Sequence, residues 1–419
     1  MKRLFALGAV LLVGACSSTG AAATVPTPSS SPTAQVRPTL PVLQSASPVA
    51  GGRSPLPSAL PVATVQCRNG SSAAAMVMLG GATSTSELIY DVSDALHPRL
   101  ICSIGNTTAH LLTGDTFVYL KPVSANETDV ILHSFGSGNE SKVASFPLSV
   151  ADPARGVIDD WAWTPDGGLL AYTVSDESAN TVHVWLYSQG SAKPVHDYGQ
   201  PIGDCICRFG VPLPILSFSP DDQYLADGWV AGKGATGITV IRVADRTTVF
   251  TADTRFSDAL WAHSGHTLYF TGNFSPSADL WTPEGGLTTL PGGPWSFEPG
   301  ISPDGTEAAY TAYLDPNTSL QPRVYTYDLK SRTARALEDK LRTEVFFVKD
   351  GWVWYAEERA CTAADSCPGS TTPTGKVFGM QLSTAVEQPV TFAPQEAFTD
   401  AVGPGSSWAF DIAEYWPNS

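Results

Sequence analysis

After Val13, no apolar run in this 419-residue chain approaches the roughly 20 residues that a membrane-spanning helix requires. Basic side chains are also scarce. There are 24 Lys and Arg against 40 Asp and Glu, a formal charge of −16. That deficit argues against nucleic acid as a partner, because phosphate binding needs clustered Lys and Arg. The usual catalytic signatures are missing: no G-x-S-x-G elbow, no H-E-x-x-H pair and no Walker loop. Gly232–Gly237 reads G-K-G-A-T-G and carries the letters of a dinucleotide fingerprint. It falls between two strand-like runs with no helix to follow, so it reads as a loop. No convincing amphipathic helix is visible anywhere in the chain.

What is present begins with an export signal. Lys2 and Arg3 precede an apolar stretch, Leu4 to Val13, and then V-G-A-C at Val13–Cys16. This resembles the lipobox of bacterial lipoproteins, in which the peptide is cut before the cysteine and the cysteine is acylated. The resemblance implies a signal over residues 1–15, lipidation at Cys16, and an anchor on the outer face of a bacterial membrane. Loss of Lys2 and Arg3 would take the charge from −16 to −18. Residues 16–61 continue as a Ser, Thr, Pro and Ala tract without aromatics, too polar to offset its ordering entropy by burial. The proline content favours extended backbone. We read it as a tether that holds residues 62–419 away from lipid.

The seven cysteines fit export. With Cys16 set aside, Cys361 and Cys367 flank a short polar loop and are expected to pair. Cys67 and Cys102 could pair across the first repeat. Cys205 and Cys207, in C-I-C, either bond each other with strain or stay reduced; a metal site there lacks the second cysteine pair that zinc usually takes.

The organising feature is a recurring phrase. It reads W-A-W-T-P-D-G-G-L-L-A-Y at Trp161–Tyr172, L-S-F-S-P-D-D-Q-Y-L-A-D at Leu216–Asp227 and P-G-I-S-P-D-G-T-E-A-A-Y at Pro299–Tyr310. Looser copies occupy Leu260–Phe270 and Phe346–Tyr355. Pro presets the first turn torsion, Asp bonds its own backbone and Gly accepts positive φ, so each copy is a strand, a tight turn and a strand. Turn signals fall at Asn69-Gly70, Gly114-Asp115, Asp166-Gly167, Asp221-Asp222, Ser264-Gly265, Asp304-Gly305, Asp350-Gly351 and Pro404-Gly405, roughly 40–55 residues apart. Third and fourth β-rich runs follow each turn, such as His183–Tyr187 and Arg323–Leu329 for the third. Four strands per repeat describe a blade of a β-propeller.

The phrases at Asp160–Tyr172 and Glu298–Tyr310 resemble the TolB-type repeat, a cousin of the WD repeat, over roughly residues 62–413. The resemblance implies an all-β fold: one propeller of four-stranded antiparallel blades. Seven blades fit best, and six or eight also suit the spacing. Strands near Ala401 and at Trp408–Ile412 are expected to pair with N-terminal strands and close the ring, which removes free sheet edges.

Two columns emerge when the repeats are aligned. Leu112, Trp163, Phe218, Trp261, Ile301 and Phe347 are apolar throughout and read as core between blades. Three residues earlier stand Ala109, Asp160, Ile215, Asp258, Glu298 and Glu344. The four acids sit where the first strand of a blade starts, the strand that lines the channel of a propeller. Two such charges ~8 Å apart repel by roughly 2 kcal/mol at an effective dielectric constant near 20. A ring of them would call for a cation, for which calcium is the candidate, a basic partner segment, or raised pKa values. The plainer reading is that each acid caps backbone N–H groups between blades. His263 and His266 share one turn, but a third metal ligand is not evident.

The missing catalytic constellation favours a binding module, a monomeric scaffold that docks an envelope or extracellular protein or peptide. The alternative is a lactonase- or glycosidase-like propeller enzyme that uses the channel acids with calcium. No cofactor is otherwise implied.

Overall fold

The chain divides into two units, Met1–Leu56 and Pro57–Ser419. The structure, a computed structural model, describes residues 62–417 of the second unit. It leaves out 69, 71–72, 74, 81–85, 113–114, 125–126, 147–160, 165–167, 177–180, 189–190, 198–215, 232–234, 253–255, 263–264, 273–277, 290–295, 303, 316–318, 366–370 and 403–411.

Seven antiparallel sheets account for every strand described. Blade 1 contains β1 (Thr64–Cys67), β2 (Ala75–Gly80), β3 (Ser86–Asp91) and β4 (Arg99–Gly105). Blade 2 is β5 (Ala109–Leu112), β6 (Thr116–Ser124), β7 (Glu127–Ser134) and β8 (Glu140–Phe146). Blade 3 is β9 (Trp161–Trp163), β10 (Leu170–Asp176), β11 (Thr181–Ser188) and β12 (Ser191–Asp197). Blade 4 is β13 (Leu216–Phe218), β14 (Tyr224–Ala231), β15 (Ala235–Arg242) and β16 (Thr247–Ala252). Blade 5 is β17 (Phe256–Trp261), β18 (Leu268–Gly272), β19 (Ala278–Thr282) and β20 (Gly286–Thr289). Blade 6 is β21 (Ser296–Ile301), β22 (Glu307–Asp315), β23 (Ser319–Asp328) and β24 (Thr333–Ala336). Blade 7 is β25 (Arg342–Phe347), β26 (Trp352–Ala360), β27 (Thr371–Gln381) and β28 (Val386–Pro389). The chain then forms a helix, α1 (Gln395–Val402), and ends in β29 (Ile412–Pro417).

Blades 2 to 7 are simple meanders in chain order. Blade 1 is not. Its sheet runs β29-β2-β3-β4-β1, so the last strand of the chain takes the position that the first strand fills in other blades. This makes a seven-bladed propeller whose ring is closed by β29 on β2, with Met78 opposite Glu414. First strands of neighbouring blades pack together, β9 on β13, β17 on β21, β21 on β25 and β29 on β5, and so converge on the axis.

The core is divided among the blade interfaces. Seven apolar clusters of described residues each join two adjacent blades, and the one between blades 7 and 1 completes the circle. Second strands explain how. In β2, Ala75, Val77 and Leu79 pack toward blade 7 while Met76 and Met78 pack toward blade 2. In β26, Val353 and Tyr355 join blade 6 while Trp354 and Ala356 join blade 1. Alternate residues of a strand point to opposite faces, so a strand buried on both faces must be apolar at every position. The column from Leu112 to Phe347 lies in these clusters, and all six members are buried.

Some expectations need correction. The region near Ala401 is helical, not a strand. The 395–402 stretch is only eight residues long and is anchored by Phe398, stacked on Phe392 at 3.9 Å between ring centres, with Ala397 packed against the same cluster. The closing strand begins at Ile412, and residues 403–411 lie outside the described positions. The turn at Gly70 does not join a first and second strand, because β1 lies at the far edge of the sheet and β29 fills the first place. Of the glycine-rich segment at 232–237, residues 235–237 belong to β15 and pair with β14. A strand replaces the helix that a dinucleotide site would need.

Trp354 is fully buried, and its Nε1–H donates to the Ala95 carbonyl at 2.9 Å, tying blade 7 to blade 1. Trp354→Phe should cost roughly 1–3 kcal/mol by leaving that carbonyl unpaired, and Trp354→Ala roughly 3–5 kcal/mol by opening a cavity as well. Denaturant melts of the two variants measure the difference.

Candidate functional site

In blades 2 to 7 each first strand enters from the preceding blade and ends in the recurring turn, so crossovers and turns lie at opposite ends of the ring. In blades 3, 4 and 6 the turn is built around a buried hydroxyl. Ser302 Oγ accepts from the backbone N–H of Thr306 at 3.1 Å and of Glu307 at 2.9 Å, and donates to Asp304 Oδ1 at 2.7 Å. Ser219 repeats this with Tyr224 N–H at 2.9 Å and Asp221 Oδ1 at 2.8 Å. Thr164 accepts from Gly168 and Leu169 N–H at 3.0 and 2.9 Å. The residue before the proline therefore satisfies backbone donors that the turn would otherwise bury unpaired. Gly305 and Asp222 take the left-handed position, at φ 69° and 62°.

These turns are structural, and so is the histidine beside one of them. His266 of blade 5 reaches back to blade 4, with Nε2 2.5 Å from Asp221 Oδ2. Burial would raise the Asp221 carboxyl, but hydrogen bonds from His266 and Ser219 hold it below its usual range. His263 lies outside the described residues. Two indoles also stitch blades. Trp161 Nε1 donates to Thr108 Oγ1 at 2.9 Å, and Trp261 Nε1 donates to the Ser217 carbonyl at 3.1 Å.

The crossover end holds the acids. Asp258, Glu298 and Glu344 are each the third residue of a first strand, in β17, β21 and β25. Those three strands are neighbours around the axis. Each strand also loses register in or next to the acid: just before Asp258, which itself pairs with Thr271, between Phe297 and Gly300, and between Thr343 and Phe346. In the last two, an acid and the next residue together oppose one residue of the second strand, a β-bulge. Only backbone is described for Asp258 and Glu298, and Asp160 lies outside the described residues. Glu344 is buried at 4% exposure and sits at φ 54°. A glutamate in left-handed backbone is uncommon and costs energy. Glycine sets the spacing beside it: a Cβ on Gly300 would lie 3.1 Å from Phe346 Cα, so β21 and β25 approach backbone to backbone. Ala109, one of the two members of the column that are not acids, gives its N–H to Glu87 Oε2 of blade 1 at 2.8 Å. There a glutamate from the adjacent blade does the capping.

Below Glu344 runs a charged strut that no sequence pattern announced. Arg342 starts on the first strand of blade 7 and lies with its guanidinium 4.5 Å from the Phe378 ring centre. It ends against Glu387 on the fourth strand, with Nε 3.1 Å from Oε2 and Nη2 3.0 Å from Oε1. Lys340 Nζ reaches Glu387 Oε1 at 2.7 Å, and the Tyr355 hydroxyl donates to Oε2 at 3.1 Å. The Arg342 and Glu387 side chains are 5% and 7% exposed. Burial raises the Glu387 carboxyl, but the hydrogen bonds from Arg342 and Lys340 outweigh it and leave the group below its usual range. Burial, with Glu387 adding to it, pushes the Tyr355 phenol up.

Among the cysteines, Cys67 and Cys102 are bonded, the pairing that was open to them across the first repeat. Cys361 is in a disulfide too. Its expected partner Cys367 lies outside the described residues, as do Cys16, Cys205 and Cys207. Among the described residues no group of three His, Cys, Asp or Glu is placed to hold a metal ion.

No family model matches the chain, and no curated protein matches its sequence. Solved structures with some likeness include the β-propeller domain of the Trilobed protease from Pyrococcus furiosus, 12% identical with a TM-score of 0.44, over 68% of this chain and 82% of that one. TolB from Acinetobacter baumannii is 13% identical with a TM-score of 0.40, over 62% of each chain. An oligogalacturonate lyase in complex with manganese is 9% identical with a TM-score of 0.44, over 74% of this chain and 82% of that one. The blade count and the closure rest on the strand pairing itself.

Two outcomes are expected at this end of the ring. Glu344→Ala and Glu344→Gly both lose the carboxylate, but only glycine takes φ 54° freely, so the glycine variant should be more stable by about 1 kcal/mol. Glu387→Gln should destabilise by about 3 kcal/mol at neutral pH by leaving the buried Arg342 with only the longer pair to Glu357, at 3.6 Å. A carboxyl depressed in the folded state stabilises above its unfolded pKa of about 4.3 and stops doing so as pH falls through the folded value. The gap between native and Glu387→Gln melting curves should therefore narrow below about pH 4.

Proposed function

We propose that this chain is an exported, lipid-anchored scaffold whose propeller docks a protein or peptide segment at the crossover end of its channel. The observation that carries this reading is the placement of Asp258, Glu298 and Glu344 at the same strand position, each in or next to a break in register, on three adjacent axial strands. Acidic residues at matching positions of neighbouring strands, in a chain with a net charge of −16, would give this end of the channel a negative field. Such a field attracts a segment rich in Lys or Arg and steers its approach. The lipobox-like V-G-A-C and the tract at residues 16–61 support placement at a membrane surface.

The test is a pull-down from envelope extract with the propeller, followed by titration of the recovered partner at two salt concentrations. Asp258→Asn, Glu298→Gln and Glu344→Gln together should weaken binding at least roughly tenfold and flatten its salt dependence. Unchanged binding by the triple variant would remove the acids from the interface. Turnover of a lactone or glycoside by the native protein, dependent on calcium and lost in the variant, would replace the scaffold with an enzyme.

A further inference from the structure

Blade 1 carries one strand more than any other blade. Its β29, β2, β3 and β4 already make a complete four-stranded blade, and β1 is added outside them. The addition is thin. Thr64 and Gln66 are exposed, and Val65 and Cys67 are only half-buried against the cluster between blades 1 and 2. The pairing is continuous, from Thr64 opposite Gly105 to Cys67 opposite Cys102, and Arg68 N–H extends it to the Ile101 carbonyl at 3.0 Å. At its inner end the strand is bonded covalently to a fully buried residue of β4, Cys102.

A four-residue strand with no buried side chain gains little from packing, and ordering it is costly. Meanwhile the ring is closed elsewhere, by β29 on β2. We propose that β1 is a strap, latched by the Cys67–Cys102 disulfide, that fastens the N-terminal segment to the outer rim of blade 1 without taking part in ring closure. Tension along residues preceding Val62 then reaches the β4 backbone through a covalent bond, and the axial strands do not carry it. Opening the latch needs a dithiol reductant. Two electrons and two protons pass to the cysteine pair, the S–S bond breaks into two thiols, and the reductant closes to its own disulfide. The strap then peels, leaving the outer edge of β4 open. This inference does not depend on what the channel mouth binds.

Hydrogen exchange on the full chain tests it, with native protein before and after dithiothreitol and with the Cys67→Ala, Cys102→Ala double variant. The variant keeps the disulfide of Cys361 and so separates the two bonds. Peptides covering Thr64–Cys67 should exchange about 100-fold faster once the latch is open, while those of β2 and β29 change by less than about threefold. Protection of β1 that survives loss of the disulfide would overturn the latch. Loss of protection in β2 and β29 together with β1 would overturn the separation of strap from ring. Should the double variant fold poorly, Cys361→Ala protein before and after dithiothreitol separates the two bonds on a chain that has already folded.

Discussion

Every blade of this propeller is buried on both faces, and the rest of the structure follows from that constraint. A strand such as β2 or β26 hands alternate side chains to the blade before it and the blade after it. A slip of one residue would exchange those two sets and misfit two interfaces at once. Register is therefore held tightly. The buried Ser302 and Ser219 hydroxyls hold it at one end of the first strands, and Gly300 and the bulges hold it at the other. Polar ties between blades, Trp354 to Ala95 and Glu87 to Ala109, fix how neighbouring blades sit against each other without adding apolar surface.

Much of this was legible in the letters. Pro-Asp-Gly marks a turn whatever its surroundings, because its information is local torsion preference. Strands buried on both faces announce themselves as apolar runs, and the repeat spacing converts the runs into blades. The role of the residue before the proline was not legible. Serine and threonine are common in loops, and only the geometry reveals that Thr164, Ser219 and Ser302 accept from the N–H groups beyond the turn. Nor could sequence place Arg342 against Glu387, since 45 residues separate partners that the meander brings together. The short α1 has too few residues for a helical period to stand out, and its position depends on Phe398 meeting Phe392.

The candidate site divides the same way. An acid recurring at one column could be read from alignment of the repeats, but its setting could not. A bulge is a mismatch between two strands, and the sequence of one strand does not contain it. Glu344 illustrates the point. Its left-handed backbone would suit glycine, so a side chain is kept there despite a conformational cost. The opposed pair Arg342 and Glu387 lies within the same blade, so blade 7 combines a neutralised internal charge with an acid at its axial start.

Closure by β29 also governs when this molecule can finish assembling. Strand pairs within blades 2 to 7 join residues close in the chain and can form as each segment becomes available. The β2–β29 pair joins residues more than 300 positions apart, from Met78 to Glu414. Until that last segment arrives, β2 presents an unpaired edge, a template for other chains. A chain without β29 would therefore be an almost complete but unzipped ring, prone to clump with its copies.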